Sequence, residues 1–299
     1  MATSPIVIER GLKALFAIAM ADFLAARQNS PGIFAAALNA PSDGYDEKYG
    51  WLGAMPGVQE WLGELNVKDL ADYDYTIRNR DWATGVPIHQ NDLDDDRVGA
   101  LAMVPELLVK RITAHPEKLL ISLLTGGTSG LAYDGIAFFS NASGVRTIDN
   151  LLAGSGTTLA QLETDLNAAL TEMAKFTDDQ GEALNVKGNM IVCPVALENK
   201  FKRLVLSDTD PTASAQGTFN PYAGRFTVIG DALLDAADVN DWYLLATDEV
   251  MKPLVLQMRE QAKPQMEKTP GTKTWKFSAS YRGNVGYGLP QLAIKTVNS

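Results

Sequence analysis

The chain has 299 residues, 46% of them apolar and 21% charged, with a formal net charge of −10. That balance supplies one or two buried cores and argues against global disorder. The acidity, with no Lys/Arg-rich run, excludes a protein that grips nucleic acid by neutralising phosphates, and the single cysteine, Cys193, excludes an internal disulfide.

The stretch "IVIERGLKALFAIAMADFLAAR" (6–27) reads as an amphipathic helix with Ser4 as N-cap and Pro5 in its first turn. Its apolar run from Ala14 to Ala21, followed by small residues, mimics the core of a signal peptide. Eight residues are too few to span a bilayer, however, and Glu9 and Asp22 suit a helix lying on a protein. Residues 28–48 are rich in turn-formers and read as an extended arm. "YGWLGAMPGVQEWLGEL" (49–65) repeats Trp-Leu-Gly ten residues apart and holds two of the five tryptophans, Trp51 and Trp61. With no His, Cys or Lys, it has the composition of a segment that presents apolar surface. "YDYTIRNRDWATGVPI" (73–88) reads as one or two strands with a turn at Gly85. Asp92, Asp94, Asp95 and Asp96 then open a helix, set against the positive end of its dipole.

Residues 97–124 form the longest helical stretch in the sequence. Pro105 and Pro116 interrupt it, so kinks or two to three abutting helices are expected. A loop with a short apolar piece follows (125–144). From Thr158 to Phe176 the apolar set Leu159, Leu162, Leu166, Leu170 and Met173 steps by three or four, the mark of one buried helix face. Short strands and helices then alternate. "NMIVCPV" is a buried strand in which Cys193 serves as a small hydrophobe, 196–206 a helix, and 225–230 and 242–246 strands. The last clear strand, "TWKFSASYR" (274–282), places Trp275, Phe277, Ala279 and Tyr281 on one face. The class is α+β.

Signals for chemistry fail one after another. The two histidines, His89 at a strand end and His115 at a helix break, show no metal-ligand spacing. Asp92, Asp94 and Asp96 copy the odd positions of a calcium loop, but Arg97 stands where glycine is required and Met103 where glutamate is. "GGTSG" (126–130) has neither nucleophile-elbow nor phosphate-loop spacing. "GSGTT" (154–158) could cradle an anion at the start of the next helix, though a flexible linker is the simpler reading. The sequence offers no catalytic, metal-binding or cofactor-binding residue, and a non-enzyme is expected.

Several blocks together resemble the Mu-like phage and prophage major head subunit family, gpT. They are "YGWLGAMPGVQEWLGEL", "YTIRNRDWATGVPIHQNDLDDDRVG" (75–99), "LLTGGTSGLAYDGIAFFS" (123–140), "MIVCPVALE" (190–198) and "SYRGNVGYGLPQLA" (280–293), in family order. The resemblance implies the HK97-like tailed-phage capsid fold. In this numbering it implies an N-terminal arm (1–43), an E-loop (44–90), a peripheral domain (91–149 and 265–299) with 97–124 as its spine helix, and an axial domain (150–264). Pro105 and Pro116 depart from a straight spine.

The function implied is that of a major capsid protein, self-assembling into hexamers and pentamers of an icosahedral head around double-stranded DNA. It would reside in the virion and, during assembly, in the host cytoplasm. The partners implied are further copies of the chain, a portal, and packaged DNA contacted non-specifically, with no membrane and no cofactor. A scaffold, a maturation protease and a cementing protein are left open by the residues themselves. On this reading Trp51, Leu52, Pro56, Trp61 and Leu62 make intersubunit contacts from the E-loop, the alternative being that they pack on their own spine helix. Asp92, Asp94, Asp95 and Asp96 mark the spine-helix N-terminus. Net acidity suits an inner wall that must release DNA. Two competing readings are an encapsulin-like protein nanocompartment, distinguished by its contents, and a soluble hydrolase, distinguished by its small sedimenting size.

Overall fold

A computed structural model of the chain describes residues 5–52, 72–95, 103–141, 146, 148–177, 181, 183–212 and 217–298. Helix α1 (Pro5–Asn29) leads through a 3-10 turn at Gly32–Ala36 into strands β1 (Ala37–Pro41), β2 (Asp46–Leu52), β3 (Asp72–Arg78) and β4 (Arg80–His89). Helices α2 (Gln90–Asp95) and α3 (Met103–Gly126) follow. Then come β5 (Leu151–Ala153), α4 (Leu159–Lys175), β6 (Met190–Cys193), α5 (Val195–Leu206), β7 (Thr227–Gly230), α6 (Ala232–Asp235) and β8 (Trp242–Leu245). The long strands β9 (Leu254–Lys268) and β10 (Thr274–Tyr287) and the short β11 (Ala293–Val297) complete the chain. None of the described helices is long and apolar enough to cross a membrane.

The strands form a five-stranded sheet in the order β5-β11-β8-β6-β7, a four-stranded sheet in the order β1-β9-β10-β4, and a two-stranded ribbon of β2 and β3. The five-stranded sheet is covered on both faces. Ile191, Cys193, Trp242, Leu244 and Ile294 pack with the apolar faces of α4 and α5. Their neighbours in the alternation, Met190, Val192, Tyr243, Leu245 and Ala293, pack with Leu120, Ile121 and Leu124 of α3. Double burial is why β6 and β8 read as unbroken apolar runs. Helix α4 buries Leu162, Leu166, Ala169 and Met173 as its spacing requires.

The glycine-rich segment before α4 is neither a linker nor an anion cradle. Ser155 donates from its backbone N and from Oγ to the Asp165 carboxylate, at 3.0 and 2.7 Å. A Cβ at Gly154 would meet Asn298 Oδ1 at 1.7 Å. The segment's donors are thus taken by the chain itself, and Gln161 Oε1 accepts from the Thr158 backbone at the helix start at 3.1 Å.

The four-stranded sheet is built on the β9–β10 hairpin, with β1 added parallel to β9 and β4 antiparallel to β10. Its faces follow the period of two read from the sequence. Phe277, Ala279 and Tyr281 are buried against Leu12 and Phe16 of α1 and Leu108, Val109 and Ile112 of α3.

Several expectations are corrected. Gly85 makes no turn; it lies within β4, where a Cβ would come within 2.9 Å of the Ser278 Cβ, so the glycine serves close strand approach. The expected arm contributes β1 to a sheet. Helix α3 runs unbroken from Met103 to Gly126 with Pro116 inside it, and α1, at 25 residues, is the longest described helix. Pro105 falls in the first turn, where no i−4 bond is lost. At Pro116 the helix forgoes a hydrogen bond, at about 3 kcal/mol. Leu108, Ile112, Leu120, Ile121 and Leu124, buried on both sides of it, outweigh that at about 2 kcal/mol each. His115 therefore sits within a helix and not at a break. Strands β9 and β11 were not anticipated, and β11 follows the segment read as the last strand.

Candidate functional site

The β2–β3 ribbon leaves the edge of the molecule's larger fold through a compact root. Its seven residue pairs run from Asp46 opposite Arg78 to Leu52 opposite Asp72. At the root, Gln257 of β9 is fully buried in the apolar opening stretch of its strand, Leu254 to Met258. Its Oε1 accepts from the Tyr49 hydroxyl at 2.9 Å, and its Nε2 donates to Asn79 Oδ1 at 2.7 Å and to the Ile77 carbonyl at 3.3 Å. Asn79, between β3 and β4, donates in turn to Ser42 Oγ at 2.8 Å and to the Gly44 carbonyl at 3.0 Å. The Ser42 hydroxyl donates to Glu47 Oε1 at 2.9 Å, and that oxygen also accepts from the backbone of Gly44 at 2.8 Å.

The network therefore begins and ends on β2, at Tyr49 and Glu47, and passes through β9 and both connections flanking the ribbon. Each bond contributes about 1 kcal/mol net, but breaking one member strands a buried polar group at a cost of about 1–3 kcal/mol. Apolar packing of Ile77 on Val255, flanked by Tyr49 and Tyr75, dries the same junction.

A second chain of contacts ties the ribbon to α3. The Tyr75 hydroxyl accepts from the backbone N of Tyr287 at 3.0 Å, and the Tyr287 hydroxyl donates to the Leu123 carbonyl at 3.0 Å. Burial raises the pKa of Tyr49 to about 12, with Glu47 adding, and that of Tyr287 to about 12, with Tyr75 adding. Both remain neutral hydroxyls that hold their bonds. Hydrogen bonds from the Gly44 backbone and the Ser42 hydroxyl hold the Glu47 carboxyl below the usual range. The assembly fixes the angle at which a ribbon leaves the sheet.

The contact residues named from the sequence lie mostly beyond this root. Trp51 and Leu52 occupy the far end of β2, opposite Tyr73 and Asp72. Pro56, Trp61 and Leu62 lie outside the described residues, as does Asp96. Asp92, Asp94 and Asp95 fall in the six-residue α2; residues 96–102, outside the described set, separate it from α3. Sequence reasoning missed Ser42, Glu47, Asn79 and Gln257. The available signal was Gln257, a lone amide in the apolar run "LVLQM". Cys193 is buried, and burial, with Glu198 nearby, raises its thiol to about 12, in keeping with a packing role. Among the described residues no group of three His, Cys, Asp or Glu is placed to hold a metal ion.

Set against known proteins, the sequence matches the profile of the Mu-like prophage major head subunit gpT over residues 12–160, 150–234 and 232–299, nearly the whole chain. The chain belongs to the gpT major head subunit family. The Mu-like prophage FluMu major head subunit of Haemophilus influenzae is 24% identical over 251 residues, covering 82% of this chain and 59% of that protein. The major capsid protein of Escherichia phage Mu is 29% identical over 135 residues, covering 45% of this chain and 44% of the phage protein. This gpT-family chain thus spans about half the length of the curated relatives it matches. The procapsid of bacteriophage JBD30 superimposes with a TM-score of 0.54 at 23% identity, covering 99% of this chain and 77% of that one. The fold is the HK97-like fold of phage capsids.

Proposed function

We propose that this gpT-family chain is a major capsid protein whose copies assemble, as hexamers and pentamers, into an icosahedral head around double-stranded DNA. The observation that carries the reading is the family match along almost the full chain, joined to an HK97-like fold. Support comes also from the clamped root of the β2–β3 ribbon, since a projecting hairpin can dock on a neighbour only if its base holds a set direction. Multivalent closure then makes modest contacts sufficient.

In this reading residues 44–90 are the E-loop, and Trp51, Leu52, Pro56, Trp61 and Leu62 are its contacts with an adjacent copy. Residues 1–43 are the arm. The peripheral domain takes 91–149 and the C-terminal segment, the axial domain the segment from 150. The boundary between the last two belongs near residue 254 and not at 264/265, because 264/265 divides β9 in mid-strand. Strand β11 joins the five-stranded sheet, so its five residues go with the axial domain. The role is structural and not catalytic, the place of action is the virion after assembly in the host cytoplasm, and scaffold, protease, portal and cementing protein act with it in assembly.

Negative-stain electron micrographs and sedimentation of the purified full chain test the proposal. Closed shells of megadalton size are expected; a small species under every condition that favours assembly overturns it.

A further inference from the structure

A groove of about 620 Å³ lies between α3 and β4. Trp82, Ala83 and Thr84, three consecutive residues of β4, border it. Trp82 and Thr84 share one strand face, and the exposed Ala83 between them brings this strand to the groove's rim. β4 is a terminal strand of its sheet, and alternate residues of its outer edge carry N–H and C=O groups with no ladder partner among the described residues.

Across the groove, α3 presents Lys110, Arg111 and Lys118. None of them makes an ion pair with a described residue. The lining holds no carboxylate, on a chain whose net charge is −10. The floor is already satisfied. His115 packs on Trp82 with ring centroids 4.5 Å apart, its Nδ1 lies 2.6 Å from the Tyr281 hydroxyl, and Trp82 Nε1 donates to the Gly283 carbonyl at 3.0 Å. What remains for a ligand is a strand edge and three cations.

We propose that this groove receives an extended acidic segment of a partner protein, which adds beside β4 as a further strand and sets its carboxylates on Lys110, Arg111 and Lys118. From Lys110 to Lys118 the helix rises ~12 Å. Carboxylates at alternate positions of a strand span about 13 Å over four residues, which matches in length. A nucleic acid fits less well: three cations neutralise few phosphates on an acidic chain, and a sugar–phosphate backbone makes no use of a strand edge.

The test is fluorescence anisotropy of the unassembled full chain with a fluorescein-labelled decapeptide of alternating Glu and Thr; this readout does not depend on shells forming. The combined Lys110→Glu, Arg111→Glu and Lys118→Glu variant is expected to bind ~10-fold or more weakly. The Gln counterpart at the same three positions should fall between, and serves if charge reversal impairs folding. N-methylation of one alternate set of peptide amides should abolish binding while the other set is tolerated. Binding indifferent to the three cations, or to N-methylation at every position, overturns the proposal. So does equal affinity for a single-stranded oligonucleotide of the same charge, which would make the groove a phosphate reader. Tighter binding by a peptide of residues 53–71 overturns the foreign partner in favour of another copy.

Discussion

The five-stranded sheet is enclosed by helices on both faces, and its central strands β6 and β8 are buried at every residue. The four-stranded sheet buries Phe277 and Ala279 beneath α1 and α3, yet β4 is exposed at seven of its ten residues. The first sheet stabilises itself. The second leaves an edge, a groove and the root of a ribbon facing outward, and all that points to binding clusters there. Stability and interaction are thus divided between two sheets of one subunit, joined through α3, whose buried residues serve both cores.

Substitutions break this contrast in order of expected effect. Trp242→Ala, in the enclosed sheet, should lower the unfolding free energy by about 3–5 kcal/mol, read by urea denaturation. A loss below ~1 kcal/mol would mean that the enclosed sheet is not the stabilising one. Asn79→Ala, at the ribbon root, should cost about 1–3 kcal/mol by removing one hydrogen bond each from buried Gln257 and Ser42. Its signature is faster hydrogen exchange in residues 46–49 and 75–78 than in β6 and β8. Uniform acceleration would show that the root is no separate clamp.

Glu47 sharpens the same point through pH. Its folded carboxyl titrates below the ordinary value, so its contribution is present above the unfolded pKa of about 4.3 and is lost as pH falls through the lower folded one. Glu47→Gln should lower stability slightly at pH 7, where the carboxylate's contribution is fully present, and flatten a small part of the acid limb below pH ~4.3, so that parent and variant converge at low pH. An unaltered acid limb counts against the Ser42–Glu47 bond. Smallest at the level of the subunit is Trp61→Ala. If that side chain docks on a neighbour, the unassembled chain should unfold within ~0.5 kcal/mol of its parent while assembled shells open at a lower temperature. Shells unchanged in yield and thermal stability would remove the contact role.

Local periodicity was enough to read the sequence-near parts of this protein. The step of Leu162, Leu166 and Met173 announced α4, the apolar runs announced β6 and β8, and the alternation around Phe277 announced β10 and its buried face. These signals survive because each reports burial along one continuous element. The aromatic, glycine-rich segment at 49–65 likewise stood apart by composition, and family order along the chain carried the fold.

Tertiary structure alone decided the rest. The continuity of α3 through Pro116 depends on the packing of both its halves, not on propensity. The length of β9 was hidden because its outer half, from Arg259 to Lys268, mixes charged, polar and apolar residues and shows no steady period. The ribbon root joins Tyr49 to Gln257 across 208 residues, and the groove sets a helix against a strand edge. No periodic pattern encodes such meetings: hydrogen bonds between distant polar groups exist only once folding has excluded water from between them.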